Sequence, residues 1–161
     1  MKIKPILILT LCAVQSCVGV DLGVCEITLN NESGYPIASF VADGFNSGFS
    51  YPDTDLQFPL NDFCLTEHIT GLTRIYASRS GSYERMLSST KQGVLSVYIF
   101  DQRAIDQEGW KELITKDAYL VRYDLTADDL EELDGIISFP LSPEMKDLKV
   151  YYPNVNKEKR Y

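Results

Sequence analysis

Apolar and polar positions alternate with a period of two in several short stretches of the chain. In "CEITLN", Ile27 and Leu29 alternate with Thr28 and Asn30, the pattern of a strand with one covered face. "NNESGYP" is rich in turn formers, and Pro36 opens a return strand, so "CEITLNNESGYPIASFVADG" predicts strand, turn, strand. "NSGFSYPDTDLQFPLNDF" is dense in Gly, Ser, Pro, Asp and Asn and reads as loop, with a short strand over 56–58. "TRIYAS" is a strand, and "SYERMLSS" makes one helical turn. "GVLSVYIFD" is the strongest strand signal. Val94, Leu95, Val97, Tyr98, Ile99 and Phe100 form an almost unbroken apolar, β-branched run, which predicts burial on both faces and a central place in a sheet. "IDQEGWKELITK" reads as one short helix capped by Asp106, with Trp110, Leu113 and Ile114 on one face. "AYLVRY", "GIISFP" and "DLKVYYP" are further strands. The expected fold is mainly β with two or three short helices, as an antiparallel sheet or a β-sandwich. Trp110, Leu113, Leu130 and Leu133 are expected to hold the helices against Val97, Ile99, Ile137 and Phe139, with Trp110 as the anchor.

"YDLTADDLEELDG" crowds six carboxylates between Asp124 and Gly135. Thr126 can accept from the N–H of Asp129, and Asp129 can reach back, as in a capping box. Leu125 and Leu130 can form a hydrophobic staple around that cap, and Gly135 suits the helix stop. Acids in the first turns are favoured by the helix dipole. The alternative is a calcium loop, with Asp124, Thr126 and Asp128 at positions 1, 3 and 5. That loop needs Gly where Asp129 stands and Glu where Gly135 stands, so no metal is expected. "DTD" at Asp53 to Asp55 reads as a turn.

The first segment, "MKIKPILILTLCAVQSC", has Lys2 and Lys4, an apolar run from Ile6 to Val14, and then small residues, the layout of a secretory signal peptide. The run falls well short of the roughly 20 residues a membrane span needs. "VQSC" fits a bacterial lipobox with Val14 at −3, Ser16 at −1 and Cys17 as the lipid acceptor; Val14 and Ser16 also suit a general signal peptidase. The expected organisation is a signal over 1–16, a lipidated linker over 17–24, one β-rich domain over 25–153 and a flexible polar tail over 154–161. Several acyl chains at about 0.8 kcal/mol per buried CH₂ anchor a protein to a membrane without spanning it.

Apolar residues make up 45% and charged residues 24% of the 161, enough for one globular core. The formal net charge of −8 argues against a nucleic-acid partner, which needs a basic surface. Export exposes Cys25 and Cys64 to an oxidising compartment, which makes them a candidate disulfide. Their spacing does not suit a metal site. His68 is the single histidine, and no nucleophile elbow, phosphate-cradling loop or dinucleotide fingerprint accompanies it. No cofactor is expected, and a binding module or a structural envelope protein is favoured over an enzyme; a two-carboxylate hydrolase is the least favoured reading. The candidate binding surface is Phe45, Phe49, Tyr51 and Phe58, facing a protein or glycan partner; the competing role for these aromatics is to cap the core.

"VYIFD", Trp110 ten residues after Phe100, "YLVRYDLTADDLEEL", "IISFP" and "SPEMKDLKVYYP" resemble a family of small lipoproteins from gut Bacteroidales, an uncharacterised family with no assigned activity. The likeness covers 94–153 well and 27–60 loosely. It departs at Val121, where the family carries a lysine. It implies export and lipidation, and it implies no catalytic residue; the expected site of the anchor is the outer membrane. "CVGVDLG" lacks the acidic cluster that marks surface export in such bacteria, which leaves the membrane face open.

Overall fold

The computed structural model describes residues 23–44, 47, 51, 56 and 60–153. Eight strands form two sheets: β1 (Cys25–Asn31), β2 (Ile37–Ala42), β3 (Leu65–Ile69), β4 (Leu72–Ser78), β5 (Leu95–Asp101), β6 (Val121–Leu125), β7 (Ile136–Phe139) and β8 (Lys149–Tyr151). One sheet has the order β4-β1-β7 and the other β3-β2-β5-β6-β8. Four short α-helices join them: α1 (Tyr83–Leu87), α2 (Gln102–Glu108), α3 (Trp110–Thr115) and α4 (Ala127–Glu132). The fold is mainly β and sandwich-like. No helix among the described residues is long and apolar enough to cross a membrane.

The strand-turn-strand at the start is not a hairpin. β1 and β2 lie in different sheets, because Asn31 turns the chain from one to the other. Its Nδ2 donates to the carbonyls of Tyr35 and Ile69, both at 2.7 Å. Its Oδ1 accepts from the Ser33 N–H at 3.0 Å and the Ser33 hydroxyl at 2.7 Å. Its backbone N–H donates to the Gly71 carbonyl, where the chain crosses back between β3 and β4. One residue thus holds the first two of the five crossovers between the sheets. β7 also departs from the antiparallel expectation by pairing parallel to β1.

β5 is the central strand of the large sheet, and its alternate residues serve two cores. Leu95, Val97 and Ile99 face the small sheet, where Ile27, Leu29, Ile75, Ile137 and Leu130 of α4 meet them. Tyr98 and Phe100 face the other way, under Ile105, Leu113 and Ile114 of α2 and α3. The two helical regions therefore sit on opposite sides of the large sheet. Trp110 packs edge-on against Phe100 at 5.0 Å between ring centroids, and on the face away from Val97 and Ile99. It is only partly buried, and its indole N–H donates to Glu67. The single helix expected over 105–116 is two, broken at Gly109, whose φ of 80° ends one and starts the next. Asp106 is no cap. It lies inside α2 and accepts from Gln102 Nε2, while Asp101 caps α2 by accepting from the Arg103 N–H.

The capping box of α4 forms as read, with Thr126 Oγ1 accepting from Asp129 N–H and Asp129 Oδ2 accepting from Thr126 N–H at 2.8 Å. Leu125 and Leu130 are both fully buried in the inter-sheet core. Gly135 follows with a φ of 69°, and a Cβ there would collide with Tyr83 Oη and the Glu26 carbonyl.

Truncating Asn31 strands two carbonyls at once, one of them buried, whereas truncating Thr126 loses one exposed cap. Asn31→Ala is expected to cost about 3 kcal/mol, from unsatisfied acceptors at about 1–3 each, and Thr126→Ala about 1. Urea unfolding of both variants checks the order, and equal costs would show that Asn31 does not hold the crossovers.

Candidate functional site

The outer face of the large sheet carries two rows of polar and aromatic side chains. The register places Tyr98 (β5), Arg122 (β6) and Tyr151 (β8) side by side, and Ser96, Asp124 and Lys149 in the next row. Residues two apart on a strand share a face, so "SVY", "RYD" and "KVY" each supply one member to each row. Arg122 and Asp124 are buried, at 1% and 2% exposure. Arg122 Nε donates to Asp124 Oδ1 at 2.7 Å and Nη2 to Oδ2 at 2.9 Å, and Ser96 Oγ donates to Oδ1 at 2.7 Å. This bidentate geometry is what a buried ion pair needs to offset the loss of water around both charges.

Aromatic rings alternate with the cations. The Arg122 guanidinium carbon lies 5.5 Å from the Tyr98 ring centre and 5.1 Å from that of Tyr151. Lys149 Nζ lies 5.4 Å from the Tyr151 centre and 4.8 Å from that of Tyr51, and donates to Tyr51 Oη at 3.0 Å. All are within the range over which a ring quadrupole attracts a cation. The result is a ladder, Tyr98–Arg122–Tyr151–Lys149–Tyr51, that runs from the sheet centre to the β8 edge. It joins Tyr51, from the segment between β2 and β3, to the last strand.

Burial pushes the Tyr98 phenol up to about 12, with Arg122 pulling it back in part. Burial works against the Arg122 charge, but the bond to Asp124 and its neighbours outweigh it and raise its pKa. Bonds to the Tyr151 and Tyr51 hydroxyls raise that of Lys149. A second polar group ties the sheets at the end of β2. Asp43, buried, accepts from Tyr76 Oη at 3.1 Å and from the Ser47 N–H at 3.0 Å. Burial and Asp43 push Tyr76 up to about 12 and Cys64 up to about 11.

Of the aromatics expected to form a binding surface, Tyr51 joins the ladder; Phe45, Phe49 and Phe58 lie outside the described residues, as does the lipidation cysteine, Cys17. The candidate disulfide does not form. Cys25 and Cys64 are free thiols. Cys25 packs on the inter-sheet core and Cys64 in the core on the far face of the large sheet, so a layer of strands divides them. Among the described residues, no group of three or more His, Cys, Asp or Glu could hold a metal ion, and Asp124 of the acidic run is engaged by Arg122 and Ser96. His68 is exposed at φ 56°, with its backbone N–H donating to Gln102 Oε1. Sequence reading missed the ladder. Its one signal was Ser96 inside an apolar run, opposite an Arg and an Asp two apart on another strand.

Removing one partner of a buried ion pair leaves an uncompensated charge, so Arg122→Met is expected to cost about 3–5 kcal/mol. The Arg122→Met, Asp124→Leu double variant should cost clearly less than the two single changes together, as contacting residues couple. Denaturant unfolding of the full cycle tests this, and additive single costs would show that the pair does not act as a unit. Alkali is a second probe. Cys64, Tyr76 and Tyr98 all titrate higher in the fold than their ordinary values of 9.0 and 10.0. The folded state therefore holds protons that the unfolded chain has lost. The stability from this source is fully present below pH 9 and is lost as pH rises toward 12. Melting temperature measured from pH 7 to 11.5 should be level at first and then fall; a flat profile above pH 9 would contradict these burials.

No family model, curated protein or solved structure matches the chain.

Proposed function

We propose that this chain is an exported lipoprotein, anchored through Cys17 in the bacterial outer membrane, and that its β domain is a binding or accessory module of the cell envelope. The ladder on the outer face of the large sheet carries the binding half of this reading. Tyr51 and Tyr151 are half-buried, so each keeps part of its ring open to a partner. Rings held in place by neighbouring cations lose little freedom when a partner covers them, which favours recognition. Tyrosine adds a hydroxyl for hydrogen bonds to an apolar face, a combination suited to a glycan or a protein surface. The signal-like start, "VQSC" and the likeness to Bacteroidales lipoproteins support the anchor.

A catalytic role has less support. A nucleophilic cysteine needs a lowered pKa, and Cys64 is buried with its pKa raised. Asp124, the most enclosed acid of the acidic run, has its carboxylate engaged by Arg122 and Ser96.

Two experiments test the two halves. Cys17→Ala should leave the precursor unprocessed or release a soluble form, and detergent partitioning that matches the parent would sink the anchor. The detergent-solubilised lipoprotein is then passed over a glycan array and used in pull-downs from its own membranes. Tyr51→Ala and Tyr151→Ala should lose any ligand found, with the folding of both variants checked by melting temperature. Binding indifferent to both substitutions would remove the ladder from the proposal.

A further inference from the structure

Phe63 is 94% exposed, the most exposed large apolar side chain among the described residues. It sits in a one-turn 3-10 helix, Asp62–Cys64, held by Asn61, whose side chain accepts from the Phe63 N–H at 3.0 Å. A backbone fixed in this way presents the ring outward, whereas the next residue, Cys64, points into the core. Phe63 borders a shallow cleft of about 250 Å³ with Arg74, Ile75, Tyr76 and Ala77 of β4. Nothing in folding calls for a phenyl ring in water beside such a cleft.

The position of the cleft indicates what covers it. Ala77 is paired with Glu26, the second residue of β1. Val24, just before that strand, is 58% exposed. The cleft therefore lies one strand away from the point where the linker enters the domain. Cys17 and Cys25 are eight residues apart, so the linker spans no more than about 28 Å. A lipid on Cys17 would keep this end of the domain within that distance of a bilayer. The charges there balance. Arg74 and Glu26 neutralise each other at 2.7 Å. The exposed cation Arg79, two residues past Ala77, is matched by the exposed Asp62 beside Phe63, so no excess of negative charge holds this end off a bilayer.

We propose that Phe63 and the cleft it borders form the face of the domain that lies against the lipid surface of the anchoring membrane. The inference rests on the lipid anchor proposed above. An exposed aromatic ring on a domain tethered close to a bilayer settles at the boundary between headgroups and acyl chains. The contact would fix the orientation of the tethered domain and set which face it offers to other molecules.

The test uses the full lipidated protein in vesicles of phosphatidylethanolamine and phosphatidylglycerol, with and without phosphatidylcholine carrying brominated acyl chains. Phe63→Trp places a reporter at the ring, and Leu72→Trp places one at the other end of β4, where the side chain is also exposed at 65%. The parent supplies the Trp110 background. Both substitutions lie at exposed positions, and an unchanged melting temperature confirms folding. The added emission at position 63 is expected to shift to the blue and to be quenched by bromine, while that at 72 is not. Emission at 63 that stays water-like in protein floating with the vesicles would overturn the proposal and leave the anchor standing. A blue shift without bromine quenching would also overturn it, because a second copy or another protein would then cover the ring. Protein that neither floats nor carries the diacylglyceryl mass would end the anchor reading, and this proposal with it.

Discussion

The chain passes from one sheet to the other five times among the described residues, and the first two crossings, after β1 and after β3, meet at Asn31. An asparagine side chain offers two donors and an acceptor in one plane. Here the donors reach the carbonyls of Tyr35 and Ile69, and the acceptor holds Ser33. An aspartate would present oxygens to those carbonyls, and a serine would be too short to reach both. Because these two crossovers place β1, β2, β3 and β4, the stacking of the first half of each sheet depends on this group of bonds. Backbone polar groups buried at a crossover must find partners, and Asn31 supplies them where no ladder can.

Once the sheets stack, the large one is covered on both faces, and its strands must divide their residues between two cores. β5 does so with Leu95, Val97 and Ile99 on one side and Tyr98 and Phe100 on the other. β6 does so with Val121, Tyr123 and Leu125 inward, which leaves Arg122 and Asp124 on the outer face. A charge placed there has to be paired, and the i, i+2 spacing lets the two residues pair with each other within a single strand. The ion pair then becomes the middle of a ladder that also holds Tyr151 and Tyr51 in place. The same row that satisfies a buried arginine thus fixes an aromatic edge on the sheet, the edge on which the proposed binding role rests.

The edges of both sheets are blunted. β4 bulges at Ile75 and the β2–β3 register shifts near Ser39. β7 stops at Pro140, and β8 is three residues long with Lys149 on it. These are devices that discourage strand addition.

Much of the local structure was legible along the chain. The central strand, the Thr126–Asp129 cap, the turn chemistry of "NNESGYP" and the one-turn helix over 83–87 depend on neighbours a few residues apart, and period and capping chemistry report such neighbours. β3 went unread, because a strand with two exposed residues and a positive-φ histidine lacks the alternation that marks a strand. The partner of each strand was not legible either. Periodicity says that a residue has a covered face and does not say by what. "CEITLNNESGYPIASFVADG" therefore looked like a hairpin, although Asn31 sends its halves to different sheets. Trp110 looked like an anchor on Val97 and Ile99, although it lies across the sheet from them. Cys25 and Cys64 looked ready to bridge, although a layer of strands separates them. The ladder needed three strands to be in register before Arg122, Tyr98 and Tyr151 could meet. The sequence by itself determined the central strand, the one-turn helix and the Thr126–Asp129 cap. Which elements share a core, and which charges meet inside it, only the tertiary structure decided, because those contacts join residues that are far apart along the chain.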